Sequence, residues 1–108
     1  MRDGLKDEHR EAIIARLAAN QRVERVVLFG SRAMGTNTIT SDVDLALFGK
    51  GLTLTDHAQL AAAIDLIPMA QTVDIVMHGS IQSQPLLEHI QKHGVEWYER
   101  ESFANATR

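Results

Sequence analysis

Between Lys6 and Asn20 the apolar residues Ile13, Ile14, Leu17 and Ala18 recur at helical spacing among charged neighbours. This predicts an amphipathic helix with Asn20 as its C-terminal cap. Arg25–Phe29 (RVVLF) is short, rich in β-branched residues and closed by Gly30, the pattern of a buried strand. Ser31–Gly35 suits a short helical turn, and Thr36–Ser41 is a polar loop. The chain becomes apolar again from Asp42 to Phe48, a predicted second strand that ends at the turn residues Gly49-Lys50-Gly51. Leu54, Ala58, Ala61 and Ala62, joined by Leu60, Ile64 and Ile67, mark a second helix capped by Thr53 or Thr55 and stopped by Pro68. Thr72–Met77 (TVDIVM) is a third β-branched run. Pro85 suits the first turn of a last helix through Leu86, Leu87 and Ile90, which ends at Gly94. Val95–Tyr98 continues as an extended or a helical tail. The order α-β-β-α-β-α predicts an α/β (α+β) fold, a small mixed sheet with helices packed on it. No repeat, linker or low-complexity segment interrupts it, so one domain over 1–108 is expected.

Composition narrows the function classes. The chain is 44% apolar but only 5% aromatic, so its core rests on Leu, Ile, Val and Ala. It has no cysteine, which excludes disulfides, thiolate metal sites and a cysteine nucleophile. No apolar run approaches the ~20 residues of a membrane span, and MRDGLKDEHR lacks the apolar core of a signal peptide. No membrane association and a cytoplasmic location are therefore expected. The net charge is -3, and the 11 Lys and Arg are scattered, with Arg22, Arg25 and Arg32 the nearest to a cluster. Without a basic stripe, tight nucleic-acid binding is not expected. Asn105-Ala106-Thr107 fits a glycosylation sequon that, in the absence of a secretion signal, reads as a chance match.

The candidate chemistry lies in the second and third strands. Side chains at i and i+2 of a strand share a face, roughly 6.5 Å apart. Asp42 and Asp44 therefore project together, while Val43 and Leu45 turn to the core. Two carboxylates on one face repel each other unless a cation lies between them, and hard divalent ions such as Mg²⁺ take oxygen ligands of this kind. Asp74 is a third acid inside an apolar strand, where an unpartnered carboxylate is costly. If the two strands are neighbours, the three acids form one cluster of the sort that holds two metal ions during an in-line displacement. Gly30-Ser31 follows a strand and opens a turn, where backbone N–H groups can receive phosphate oxygens and no Cβ obstructs their approach. The Ser31 hydroxyl can donate to a phosphate or cap the turn, and the Arg32 guanidinium can add a charged fork. Each part taken alone also has a plain structural reading: a turn, a strand cap, an ion-paired acid, a surface arginine.

Gly30-Ser31, ten intervening residues and Asp42-x-Asp44 resemble the signature of the DNA polymerase β nucleotidyltransferase superfamily. The form GSRAxG at Gly30–Gly35, the later Asp74 within VDIV and the tail IQKHGVEWY resemble more specifically the minimal nucleotidyltransferases, the MntA-like antitoxins paired with HEPN-domain toxins. The resemblance implies a polymerase β-like fold and transfer of a nucleoside monophosphate to a hydroxyl. It implies that Asp42, Asp44 and Asp74 bind Mg²⁺, two ions in all, and act in catalysis. It also implies that Gly30, Ser31 and Arg32 hold the triphosphate. The donor would be ATP and the acceptor a tyrosine of a HEPN ribonuclease toxin bound as a hetero-oligomer, which AMPylation silences. Related sequences often read GSRARG, so Met34 leaves one positive charge missing near the triphosphate. Two other readings are an antitoxin that neutralises by binding alone and a small-molecule nucleotidyltransferase of the aminoglycoside-modifying kind. The short chain weighs against the latter.

Other residues carry weaker signals. His89 and His93 are four apart on the last helix, a Zn²⁺ spacing without a third ligand in view, or a solvated helix face. His57 and His78 follow turns as structural or exposed residues, and His78 is also placed to edge the acidic site. Trp97 and Tyr98 either complete the core or present an aromatic patch to a partner.

Overall fold

In the computed structural model, residues 3–100 are described; the sequon at Asn105 lies outside them. The chain runs α1 (Asp7–Ala18), β1 (Arg25–Phe29), α2 (Ser31–Met34), β2 (Val43–Phe48), α3 (Leu54–Asp65), β3 (Val73–Met77), a 3₁₀ turn (His78–Ser80), α4 (Gln84–His93) and β4 (Val95–Glu99). The strands form one mixed sheet in the order β3-β2-β1-β4. β1 is antiparallel to both β2 and β4, whereas β2 and β3 are parallel and joined through α3. Parallel neighbours need such a crossover, because a tight hairpin can only reverse the chain.

Alternation along the strands divides the core. Val26, Leu28, Val43, Leu45, Leu47 and Ile75 pack with Ile13 and Leu17 of α1 and Leu60 and Ile64 of α3. Val27, Phe29 and Ala46 turn the other way, against Ile90 of α4. With helices on both faces, β1 is buried along nearly its whole length, which explains why RVVLF lacks a polar alternation. Arg10 is buried one turn from Ile13 and grips Asp3 through two hydrogen bonds, of 2.9 and 2.6 Å.

The expected elements form close to their sequence bounds, with two differences. Helix α1 ends with Ala19 as its cap. Asn20 instead accepts the Arg22 N–H and donates to Asp56, so its side chain ties α1 to the start of α3. The tail after Gly94 is a fourth strand, not a helix, because β1 has a free edge that Val95–Glu99 covers, with a bulge at Val26/Val27. That pairing seats Trp97 in the core beside Leu28 and Leu17, while Tyr98 is partly buried against it. Among the described residues no helix is long and apolar enough to cross a membrane.

Candidate active site

Pairing register gathers the acids. Phe29 of β1 is opposite Asp44 of β2, and Asp44 is opposite Asp74 of β3, so the three positions form one row at an end of the sheet. Adjacent strands lie about 4.8 Å apart. Asp44 and Asp74 alternate with core residues Leu45 and Ile75, which places both on the face covered by α4. Asp42 lies just before β2, where the Val43 N–H bonds to the Thr72 carbonyl at 2.8 Å. Asp44 is half-buried, whereas Asp42 and Asp74 are exposed. Burial pushes the Asp44 carboxyl above its ordinary value, and the charges of Asp74 and then Asp42 push it the same way, partly opposed by His89. Both acids thus add to the cost of ionising Asp44.

The Gly30 corner closes onto that carboxylate. Gly30 has φ +78°, a left-handed conformation that disfavours any other residue, and a Cβ placed on it would collide with Asp44 Oδ2. Gly30 is the N-cap of α2, whose first turn accepts no side-chain cap; the Gly30 carbonyl receives the N–H groups of Ala33 and Met34. The Gly30 N–H, expected to be free for a phosphate, donates instead to His89 Nε2 at 2.9 Å. His89 is thus neither a solvated residue nor part of a three-ligand zinc set among the described residues. Helical spacing placed it on a face of α4 but could not say which end of the sheet that face would meet.

Arg32 is placed differently from the phosphate fork expected of it. Its side chain is buried, and its N–H groups donate to the carbonyls of Asp3 at 2.6 Å and of Ser41 at 2.8 Å, with longer contacts to Thr38 and Ile39. A guanidinium has five N–H donors, and here most are satisfied by one loop. The loop so held runs directly into Asp42. The signal that would have revealed this, Asp3-Gly4 folding back over the loop, is a long-range contact that no local pattern carries. Met34 is half exposed.

His78 lies at the far end of β3 from Asp74, stacked on Phe48 at 4.1 Å in a cleft of about 560 Å³ on the other side of α4. It does not edge the acidic row. His57 is tied to the Ile75 carbonyl at 2.7 Å.

The donor set suits a hard cation: carboxylate oxygens, one of them destabilised by its charged neighbours, on a rigid strand row. Even so, no group of three His, Asp or Glu among the described residues is gathered tightly enough to hold a metal ion as it stands. By donor type the acids fit a hard cation, whose remaining ligands would be other oxygens.

The family described as polymerase beta, nucleotidyltransferase, matches residues 11–103. A protein proposed to be a minimal nucleotidyltransferase is 34% identical over 82% of this chain and 88% of its own, with a TM-score of 0.64. A chain of a toxin–antitoxin complex with AMP-PNP is 25% identical, covering 90% of this chain and 78% of its own at a TM-score of 0.66. A chain of the complex between the tri-AMPylated HEPN toxin of Shewanella oneidensis and its MNT antitoxin has a TM-score of 0.67 at 20% identity, over 94% of this chain and 79% of its own. That last likeness concerns the fold. No curated protein matches the chain.

Proposed function

This chain belongs to the polymerase beta nucleotidyltransferase family, and from that premise we propose that it is a Mg²⁺-dependent protein adenylyltransferase acting as an antitoxin. It transfers AMP from ATP to a tyrosine hydroxyl of a partner HEPN ribonuclease toxin. The observation that carries this reading is the contact of the Gly30 corner with the Asp44 carboxylate, in the same row as Asp74. It supports the reading by setting the Gly30-Ser31 turn beside an acid of the row. The toxin–antitoxin complex of a similar chain with AMP-PNP supports the choice of donor and of a toxin partner.

The reaction is a displacement at the α-phosphorus. The tyrosine oxygen forms a bond to phosphorus, the bond from phosphorus to the bridging oxygen breaks, and pyrophosphate leaves with that electron pair. Asp42, Asp44 and Asp74 would hold Mg²⁺, which when bound offsets the phosphate charge. Asp74, the most exposed of the row on an edge strand, takes the tyrosine proton. Gly30 and Ser31 receive the triphosphate through the Ser31 hydroxyl and the backbone at the start of α2. Arg32 contributes to nucleotide binding by holding the loop that presents Asp42.

A second reading, neutralisation by binding alone, draws on the lack of a preformed three-ligand cluster among the described residues and on the occupied donors of Arg32. One experiment separates the two. The chain is mixed with the toxin encoded beside it, ATP and Mg²⁺, and the toxin is weighed by mass spectrometry. Added adenylyl groups that vanish with Asp42→Asn/Asp44→Asn support transfer. A tight complex without mass change, with toxicity still suppressed by that double variant, replaces it with the binding reading.

A further inference from the structure

His89 precedes Ile90, the α4 side chain buried against Val27, Phe29 and Ala46, so its ring sits where the helix meets the end of β1. The ring stands edge-on to Phe29, with centroids 6.2 Å apart and planes at 77°. Its Nε2 accepts the Gly30 N–H at 2.9 Å across 59 residues of sequence. A ring nitrogen that accepts carries no proton, so in this contact the ring's hydrogen is on Nδ1. Among the described residues this is the only hydrogen bond from α4 to the corner. Gly30 has no side chain through which packing could fix it; its carbonyl is held by the Ala33 and Met34 N–H groups, and its own N–H, on the Phe29–Gly30 peptide, is held by His89. The edge contact with Phe29 holds the ring, and the ring holds the peptide.

We propose that His89 is a positioning residue for nucleotide binding: by accepting the Gly30 N–H it fixes the Phe29–Gly30 peptide where β1 enters the corner beside Asp44, and so sets where the Ser31 N–H and hydroxyl meet the phosphates of the donor. The inference rests on the nucleotidyltransferase reading above. It assigns α4 a part in the active site that the acids and the Gly-Ser corner do not by themselves require.

The test compares the unaltered chain with His89→Ala and His89→Gln, the latter keeping an acceptor oxygen. Three quantities are read: the KM and kcat of toxin adenylylation, the Kd for AMP-PNP with Mg²⁺, and hydrogen exchange at the Gly30 amide. Loss of one net hydrogen bond corresponds to about a fivefold rise in KM and Kd for His89→Ala, with kcat little changed. The Gly30 amide exchanges faster in His89→Ala, and His89→Gln recovers both affinity and protection. If His89→Ala does not fold, His89→Asn, whose oxygen falls short of Gly30, takes its place. Unchanged or tighter AMP-PNP binding in the acceptor-free variant overturns the proposal, as does a loss that His89→Gln fails to recover. If the unaltered chain binds AMP-PNP but transfers nothing, the transferase reading fails, and the binding and exchange results still decide the role of His89. If it binds no AMP-PNP, both fall.

Discussion

Asp44 sets the balance between stability and chemistry at this site. Burial and the charges of Asp74 and Asp42 raise its pKa in the folded chain. Between the unfolded and the raised value, the folded state binds more protons than the unfolded one, so this group's contribution to stability falls as pH rises through that interval. At neutral pH the Asp44 charge therefore destabilises the fold, a cost that its proposed role in metal binding would explain. Asp44→Asn is expected to raise Tm in calorimetry at pH 7 while abolishing adenylylation, and the gain in Tm should shrink as the pH approaches 3.8, the ordinary aspartate value. Mg²⁺ should raise the Tm of the unaltered chain and leave that of Asp44→Asn nearly unchanged, because the ion binds only the folded acids. Asp74 is exposed and bears little packing. Asp74→Asn is expected to lower kcat by about 10²–10⁴-fold, the usual weight of a positioned proton acceptor, with the melting curve in place.

At the scale of elements, the start of α3 illustrates what a local motif can and cannot disclose. Thr53 Oγ1 accepts the Asp56 N–H at 3.1 Å, and Asp56 Oδ2 accepts the Thr53 N–H at 2.9 Å, a reciprocal capping box. Thr53 and Thr55 were both eligible caps in the sequence, and the acid three residues on decides for Thr53. The same carboxylate receives Arg22 through bonds of 2.8 and 2.7 Å, and Asn20 at 3.1 Å, from the turn after α1. The Arg22 guanidinium and then the Thr53 N–H hold the Asp56 carboxyl well below its usual range. That stability is present above the unfolded value of 3.8 and is lost as pH falls below it. Thr53→Ala removes one cap and is expected to cost about 1 kcal/mol, a fall in Tm of about 4–8 °C for a domain of this size. The acid limb of the unfolding curve should steepen less in Asp56→Asn than in the unaltered chain.

At the scale of the molecule, β4 closes the sheet. It covers the edge of β1 and carries Trp97, the sole tryptophan, into the main core. Tryptophan emission is therefore expected to shift to the red in a single transition coincident with the loss of helical circular dichroism. Ending the chain after Gly94 leaves β1 as an apolar, unpaired edge. Such edges template association, so the shortened chain is expected to elute as aggregates in size-exclusion chromatography where the full chain is a discrete species.

The sequence by itself determined the helices and the first three strands, because periodicity and turn residues act over a few positions: RVVLF, VDLALF and VDIVM are strands whose neighbours barely alter them, whereas Val95–Glu99 became a strand only by pairing with β1. It also marked Asp42, Asp44 and Asp74 as acids out of place in apolar runs, since the cost of burying a carboxylate depends on residue type and local hydrophobicity. Only the tertiary structure decided which strands are neighbours, and hence that Asp44 faces Asp74 in register. It alone turned Arg32 from an expected phosphate fork into the brace of the Asp42 loop and drew His89 to Gly30. Those contacts join groups far apart in the chain. Their partners are chosen by which faces the packed core leaves available, a choice no window of neighbouring residues contains.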